Sequence, residues 1–434
     1  MRLLLILGLI SPGLASPLAT SQLVAREEAV PQCAIDCKQQ ILADSVTQCS
    51  TNNTPCLCAD KVYQAKLEDC WSANCTTPES LTAQYLNSRE CDIPIVQRYP
   101  AADPGTLIPF IVASILFTIR MAAKSKHLGC GWGADDYTII VAYGLAVIIY
   151  SLNVSMIQYG FGKNIWDIVP QDDITKAYKR FYAFIHVYKA LISLAKISVC
   201  LFLLRIFQTP IFRYITYTMI VVNTAIAISW ILVDSFHCIP VHLAWTGWEH
   251  EESGKCINFI TSTFVNGFVN IAVDVIMVMM PMWEVLKLTL SFRKKLGVAV
   301  MFGMGLVLTA VGIVRVIILS RNDSTENPTF EMEPLNYWSV IECQVAIICA
   351  CLPATRAFIV HYIPGMLGQS ENASSSGGAH TSSNPRSKTI SAVHPGNLGF
   401  ISKTVSYRVD STGRSSQSAS DSFVKLVEIQ SQRT

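Results

Sequence analysis

The chain has 434 residues, of which 51% are hydrophobic and only 15% are charged, whereas ordinary soluble domains carry about 25% charged residues. Its formal net charge of +2 gives no electrostatic support for a nucleic-acid partner. The composition therefore indicates an integral membrane protein, and membrane lipid is its first expected partner.

Residues 1–15 have the pattern of a secretory signal peptide. Arg2 supplies a positive start, Leu3 to Ile10 form an apolar core, and Gly13 and Ala15 place small residues before a cleavage site. The core is too short to span a bilayer. Cleavage after Ala19 and an uncleaved anchor are the alternatives.

Eight of the fifteen cysteines lie between Cys33 and Cys91, a density that indicates an oxidising compartment and a disulfide framework. Cys33 and Cys37 are spaced i, i+4 and share one face of a helix, and Cys70 and Cys75 nearly do. Two antiparallel helices would place these four side by side. Among the many connectivities that eight cysteines allow, this geometry favours Cys33–Cys75, Cys37–Cys70, Cys49–Cys56 and Cys58–Cys91.

Pro31-Gln32-Cys33, the cysteine spacing and Cys56-Leu57-Cys58-Ala59-Asp60 resemble the fungal CFEM domain, over about residues 25–95. In haem-binding members of that family the Asp of the C-x-C-x-D motif is the axial iron ligand. The resemblance therefore implies ferric haem at Asp60, because an oxygen ligand favours ferric over ferrous iron. The alternative is that Asp60 caps the helix predicted to follow it.

Three N-x-[ST] motifs lie in regions predicted to face the outside, at Asn52, Asn74 and Asn322, and each is a candidate glycosylation site. Residues 92–105 contain three prolines and form a short tether to the membrane region.

Seven apolar segments fill residues 106–363. A helix needs about 20 apolar residues to cross a hydrocarbon core of about 30 Å, and in lipid the backbone must be paired internally. We therefore predict a mainly α fold, with a seven-transmembrane helix bundle after a small disulfide-rich helical domain. Seven buried helices of a soluble protein would show polar faces, which these segments mostly lack. The predicted spans are 106–123, 137–158, 181–206, 214–235, 260–283, 297–319 and 337–361.

The signal peptide and seven crossings place the N-terminus outside the plasma membrane and the C-terminus inside. Nine lysines and arginines in the predicted inner loops, Arg120 and Lys124 among them, against six in the outer loops agree with this orientation. Cys238 and Cys256 share an outer loop and are predicted to pair, with two free thiols as the alternative. Residues 368–434 are rich in Ser, Gly, Thr and Asn, and we expect a disordered cytoplasmic tail.

Ionisable residues inside the spans are costly, so each is a functional candidate. By counting residues along the helices, we predict two pairs at similar depths, Lys196 with Asp274 and Arg315 with Glu342. Pairs with a purely structural role are the alternative. The remaining ionisable residues of the spans are His186, Lys189 and Asp234.

Several motifs of the helical region resemble the fungal rhodopsin-like integral membrane family, over about residues 106–363. The resemblance rests on Gly131-Trp132-Gly133-Ala134-Asp135-Asp136-Tyr137, Tyr159-Gly160-Phe161-Gly162, Trp338-Ser339-Val340-Ile341-Glu342 and Cys351-Leu352-Pro353. Together with a CFEM domain, it implies a surface-sensing receptor with an unknown extracellular ligand and a heterotrimeric G protein as partner.

Other functions have less support in the sequence. The predicted seventh helix contains no lysine, so it offers no attachment point for retinal. The motifs H-E-x-x-H and G-x-S-x-G and the phosphate loop are missing from the sequence, so we expect no enzyme. A haem- or iron-binding protein anchored by its helices is the main rival, and a transporter is the third hypothesis.

Overall fold

The computed structural model describes residues 30–44, 47–126, 131–287, 292–321 and 327–362. The predicted signal peptide, Asn322 and the tail at residues 368–434 lie outside these described residues. Apart from one two-stranded β pair, the regular structure of the described residues is helical.

The N-terminal module consists of four short helices around a small core. Tyr63, Leu67 and Trp71 of the third helix fill that core, together with Ile41 and Leu57. So few apolar residues stabilise a domain only weakly, and cross-links supply what the core lacks. The helices are α1 (Gln32–Ala43), α2 (Thr54–Ala59), α3 (Lys61–Asn74) and α4 (Thr77–Glu90).

Four disulfides close the N-terminal module, and they are the pairs that the cysteine spacing favours. The structure joins Cys33 to Cys75, Cys37 to Cys70, Cys49 to Cys56 and Cys58 to Cys91. The first two bridges fasten α1 along α3, as expected for cysteines one helical turn apart.

Within the described part of the chain, seven helices have 22 or more residues, and each contains one of the segments predicted to span the membrane. Several begin before the predicted residue, because polar first turns extend them beyond the apolar run. The helices are α5 (Pro104–Ser125), α6 (Ala134–Gln158), α7 (Asp172–Ile206), α8 (Pro210–Ser235), α10 (Phe259–Lys287), α11 (Phe292–Ser320) and α13 (Glu333–Tyr362).

Among the described residues, six helical segments are long and apolar enough to cross a membrane. Five belong to α5, α6, α7, α8 and α10, and the sixth, Pro328–Leu352, joins the short helix α12 (Pro328–Glu331) to most of α13. Within α11 the apolar part, Gly305–Ser320, is shorter than a full span. The described residues thus define a multi-span protein with six candidate spans.

Helix α7 lies at the centre of the bundle. Its inward positions, from Ile174 to Leu203, are buried along nearly the whole helix, while α6 contributes the small residues Ala142 and Ala146 to the same core. Small residues allow helices to approach closely in membrane bundles. By contrast, α8 and α10 expose apolar side chains such as Val221 and Phe268, as lipid-facing helices do.

A short hairpin follows α8. Strand β1 (Cys238–Ile239) pairs antiparallel with β2 (Lys255–Cys256), and helix α9 (Leu243–Thr246) lies between them. Cys238 stands opposite Cys256 and forms a disulfide with it, which is the bridge predicted for this loop.

Candidate functional site

Helices α5 and α6 meet in a buried ionic cluster at the end of the bundle opposite the N-terminal module. Arg120 is fully buried, and its Nη2 lies 2.7 Å from Asp135 Oδ2 and 2.8 Å from Asp136 Oδ1. Its Nη1 donates a hydrogen bond of 2.5 Å to the carbonyl of Ala350 in α13. Lys124 Nζ lies 2.9 Å from Asp136 Oδ2.

The assignment of Arg120 and Lys124 to an inner loop was wrong. Both lie within α5 and both are buried, because the adjacent carboxylates Asp135 and Asp136 compensate their charges. A double aspartate at the start of an apolar helix, one short loop after an arginine and a lysine, was the signal that could have revealed this cluster.

Helix α7 joins the same cluster through Arg205. Its Nη1 lies 3.6 Å from Asp135 Oδ1, and its Nη2 donates a 2.6 Å hydrogen bond to the carbonyl of Gly131. We call Arg120, Lys124, Asp135, Asp136 and Arg205 the end cluster. It ties α5, α6, α7 and α13 together at one face of the bundle.

Deeper in the bundle, the structure brings Lys196 of α7 and Asp274 of α10 together. Their Nζ and Oδ1 atoms are 2.9 Å apart, and both side chains are less than one tenth exposed. Lys196 also donates to Asn270 Oδ1 at 3.1 Å and to the Asn270 carbonyl at 3.3 Å. The second predicted pair also meets: Arg315 Nη1 of α11 lies 3.2 Å from Glu342 Oε2 of α13.

Tyr188 of α7 connects to this second pair. Its hydroxyl donates to Glu342 Oε2 at 2.9 Å and contacts Arg315, whose guanidinium lies 4.7 Å from the centre of the Tyr188 ring. The three side chains therefore join α7, α11 and α13 by charge-assisted hydrogen bonds, which are stronger than neutral ones.

A third buried pair, Lys189 of α7 with Asp234 of α8, was missed by the sequence analysis. Counted along the predicted spans, the two residues lie about 10 Å apart in depth, but the flexible stem of a lysine covers much of that distance. Lys189 Nζ also lies 5.3 Å from the centre of the Trp230 ring. Through Tyr188, Lys189 and Lys196, helix α7 contacts charged groups on four other helices.

The N-terminal module contacts the bundle through α4. Leu81 packs with Ile165, Ile168 and Ile174, which lie between the end of α6 and the first turns of α7. Beside this apolar contact, Gln171 Nε2 donates to the Pro78 carbonyl at 2.8 Å.

An ion pair also joins the module to this segment. Arg89 Nη2 of α4 lies 3.2 Å from Asp167 Oδ1, and the Asp167 side chain is only 2% exposed. A carboxylate so deeply buried depends on its partner, because removing that partner leaves an uncompensated charge.

The tether at residues 92–105 also contacts the bundle. Gln97 Nε2 donates to the Phe161 carbonyl at 2.9 Å, and the Arg98 backbone N–H donates to the Gly162 carbonyl at 3.0 Å. The rings of Tyr99 and Tyr337 stack with centroids 4.2 Å apart. The module is thus held from two sides, by α4 and by the chain that follows it.

Asp60 caps α3. Its Oδ1 accepts hydrogen bonds from the backbone N–H groups of Val62, at 3.0 Å, and Tyr63, at 3.2 Å, and its Oδ2 accepts one from Thr47 Oγ1, at 2.6 Å. The hydrogen bond from Thr47, followed by the one from Tyr63, lowers the pKa of Asp60, so the carboxylate is anionic at neutral pH. Among the described residues Oδ2 accepts only this one hydrogen bond, so it retains a lone pair and fits a single oxygen ligand to iron.

The two glycosylation motifs of the module differ in their surroundings. Asn52 lies exposed in the turn before α2. The Asn74 side-chain amide, in contrast, donates to the Cys70 carbonyl at 3.0 Å at the end of α3. The amide nitrogen that would be glycosylated is therefore already engaged at Asn74.

Long apolar helices, buried ion pairs and a disulfide-rich module define a multi-span helical membrane protein. The family model for the fungal rhodopsin domain matches residues 119–361, and the model for the CFEM domain matches residues 26–92. The first match covers more than half of the chain, so the chain belongs to the fungal rhodopsin-domain family and carries a CFEM domain in front of it.

Three relatives share 27% identity with this chain. Receptor GIN3 of Arthrobotrys oligospora matches over 68% of this chain and 72% of its own length. A SAT4 family membrane protein of Emericella nidulans matches over 53% of this chain and 58% of its own length. The polyenoic acids biosynthesis gene cluster protein Ba17b of Metarhizium anisopliae matches over 58% of this chain and 71% of its own length. No solved structure matches the chain.

Proposed function

We propose that this protein is a seven-span receptor of the plasma membrane, with the CFEM module outside and the C-terminus in the cytoplasm. In this proposal α11 crosses the membrane as the sixth span. Helices α10 and α13 both begin at the end of the bundle that carries the module, so the chain must return across the membrane between them. A cue received at the module or in the helices shifts the bundle between two states, and a heterotrimeric G protein detects that shift at the inner end.

The observation that carries this proposal is the contact between the module and α7. The ion pair of Arg89 with Asp167 and the packing of Leu81 on Ile174 connect the module to the outer turns of α7. Farther along the same helix, Lys189 and Lys196 form buried ion pairs with α8 and α10. A displacement of the module therefore acts on the helix that contributes most of the buried charge contacts.

The end cluster supports the inner half of the proposal. Arg205, on the last turn of α7, contacts Asp135 in the first turn of α6 and the Gly131 carbonyl in the loop just before it. Its side chain is 28% exposed, so it lies at the edge of the cluster, where a partner protein has access. Movement of α7 would loosen this contact without unpairing the fully buried Arg120.

Nucleotide exchange on a reconstituted heterotrimeric G protein tests the proposal. We expect Arg205→Ala to raise basal exchange, because it removes two contacts that hold α7 to α6. Arg213→Ala is the matched control, since Arg213 is exposed near the start of α8 at the same end of the bundle. Equal exchange with the unmodified chain and both variants, at equal protein levels, would count against G-protein coupling.

Topology has its own measurement. Protease added to intact cells should remove a tag at the N-terminus of the mature chain and spare a tag at the C-terminus. The reverse pattern would overturn the proposed orientation.

A second candidate function is binding of ferric haem at the module, with the helices as its anchor. It is supported by the anionic Asp60 carboxylate and the lone pair left on its Oδ2. Titration of the whole protein with ferric haem, followed by Soret absorbance, tests it. Asp60→Ala should abolish the spectral change, while Asp69→Ala on exposed α3 surface should not. Unchanged binding by the Asp60 variant would remove this residue from the role.

A further inference from the structure

A polar cleft lies between α7, α8 and α10, in the middle of the bundle. Lys189, Ser193, Asn223, Trp230 and Asn266 contribute to its walls. Polar side chains inside a membrane are costly, so they are functional candidates. Lys189, which pairs with Asp234, lines the cleft, and Lys196, which pairs with Asp274, is linked to it through Asn270.

One donor in the cleft has no partner among the described residues. Asn266 is 1% exposed, and its Nδ2 makes no hydrogen bond to that part of the chain. Buried polar groups are nearly always hydrogen-bonded, and an unsatisfied one costs free energy. The amide therefore has a hydrogen bond to offer to something that enters the cleft.

The neighbouring contacts determine which end of the Asn266 amide is free. Lys196 has only hydrogens to donate, so Asn270 must turn its Oδ1 toward it, at 3.1 Å. The Asn270 Nδ2 then donates to Asn266 Oδ1 at 2.9 Å. This second bond occupies the oxygen of Asn266 and leaves its N–H groups as the unpaired end, so the group that binds there must be an acceptor.

The charges around the cleft indicate a neutral ligand. Lys189 is balanced by Asp234, and Lys196 is balanced by Asp274. A ligand carboxylate or ammonium would add an uncompensated charge to the membrane interior, which is costly. A carbonyl oxygen of an ester, ketone or lactone accepts a hydrogen bond without bringing a charge.

The outer wall of the cleft favours an apolar body for this ligand. Trp230, Ile226 and Ala227 of α8 line it and are partly exposed, so the cleft opens on the side of α8. The surface of α8 beside them is apolar, with Ile228 and Val222 exposed. A molecule that dissolves in lipid can therefore reach the cleft along this surface.

From these observations we propose that the cleft takes the carbonyl oxygen of a neutral, apolar molecule, which accepts a hydrogen bond from Asn266 Nδ2 beside Trp230. The apolar body of this molecule lies along the exposed surface of α8. The site itself stands on the geometry, and only its role as the input of a receptor rests on the function proposed above. Because Asn266 is linked through Asn270 to Lys196, the bound carbonyl would also reinforce the ion pair between α7 and α10.

Quenching of tryptophan fluorescence tests this site on the purified full-length protein in lipid nanodiscs. The probe is methyl 11-bromoundecanoate, whose bromine quenches nearby indole rings, and 1-bromoundecane is the matched probe without a carbonyl. The contribution of Trp230 is the difference between the unmodified chain and Trp230→Phe. Unbrominated methyl undecanoate serves as the competitor.

We expect the ester to quench Trp230 fluorescence saturably and the competitor to reverse this quenching. The alkane should only partition into the lipid, so its quenching should rise linearly with concentration. Asn266→Leu and the nearly isosteric Asn266→Asp should each lower the affinity for the ester by about tenfold or more, because each removes one hydrogen bond to a buried acceptor. Val265→Ala, on the exposed face of the same helix, should leave it unchanged. Size-exclusion chromatography identifies any variant that fails to fold.

Equal quenching by ester and alkane would overturn the proposal and would show that the cleft holds water only. Full saturable binding by a folded Asn266→Asp protein would overturn it as well, because the ester would then bind without the hydrogen bond from Asn266. The nucleotide-exchange assay is independent of this result. If the ester does not bind but Arg205→Ala still raises nucleotide exchange, the site alone is refuted. If the ester binds but no variant changes nucleotide exchange, the receptor function is refuted and the site remains.

Discussion

Lys196 and Asp274 form a buried pair, and removing either partner should destabilise the bundle. The loss should be larger when Lys196 is removed than when Asp274 is removed. Both side chains are less than one tenth exposed, and stranding one charge of a buried pair costs about 3–5 kcal/mol. Lys196→Met removes the only cation within ion-pair distance of Asp274 among the described residues. The loss of stability should therefore lie near the upper end of this range. In Asp274→Asn, Lys196 keeps two acceptors on Asn270, so we expect about half of that cost.

The double variant should be more stable than Lys196→Met alone, because no charge remains unpaired. Apparent melting temperatures of the purified protein, followed by tryptophan fluorescence, give the four corners of a double-mutant cycle. Lys255→Met, in the exposed hairpin, is the control and should leave the melting temperature unchanged. Additive losses, with no recovery in the double variant, would refute the inference that these two charges depend on each other.

Three further predictions concern the N-terminal module and the hairpin. Asp60→Ala should lower the melting temperature above about pH 4 and lose this effect at more acidic pH. The folded protein lowers the pKa of Asp60, so the carboxylate stabilises the fold above its unfolded pKa and stops doing so as the pH falls through its folded pKa. An effect of the substitution that grows toward acidic pH would contradict this. Non-reducing mass spectrometry should find five disulfides, and a free thiol at Cys238 or Cys256 in surface-exposed protein would disprove the hairpin bridge. Glycosylation should occur at Asn52 in preference to Asn74, so that Asn52→Gln shifts the gel mobility and Asn74→Gln does not; the opposite shift would show that the hydrogen bond at Asn74 does not protect it.

Local periodicity explains why parts of the fold could be predicted. Cys33 and Cys37 lie one helical turn apart, and so nearly do Cys70 and Cys75, which leaves two antiparallel helices few ways to pair them. The spans follow from runs of apolar residues, and the family assignment follows from motifs such as the one that ends at Tyr137. None of these inferences needs a contact between distant segments.

The contacts that connect separate segments could not be predicted in the same way. Rules for loop charges treat Arg120 as solvated. In the structure it is buried, because two carboxylates at the start of the next helix compensate its charge. The contact between Arg89 and Asp167 joins residues 78 positions apart, and no periodicity in either segment indicates it. Asn266 looks like any amide in an apolar helix, and its unpaired donor follows only from the orientation of its neighbours.

The length of α7 has a mechanical consequence. Its 35 residues make a rod of about 52 Å, well over the roughly 30 Å of a hydrocarbon core, and its sequence contains neither proline nor glycine. Such a rod transmits rotation like a lever instead of absorbing it at a kink. If it pivots at one end, a tilt of about 5° moves the other end by roughly 4–5 Å, which exceeds the 2.6 Å hydrogen bond that Arg205 makes to Gly131. A small displacement at the first turns of α7 would then open a contact at the opposite end of the helix.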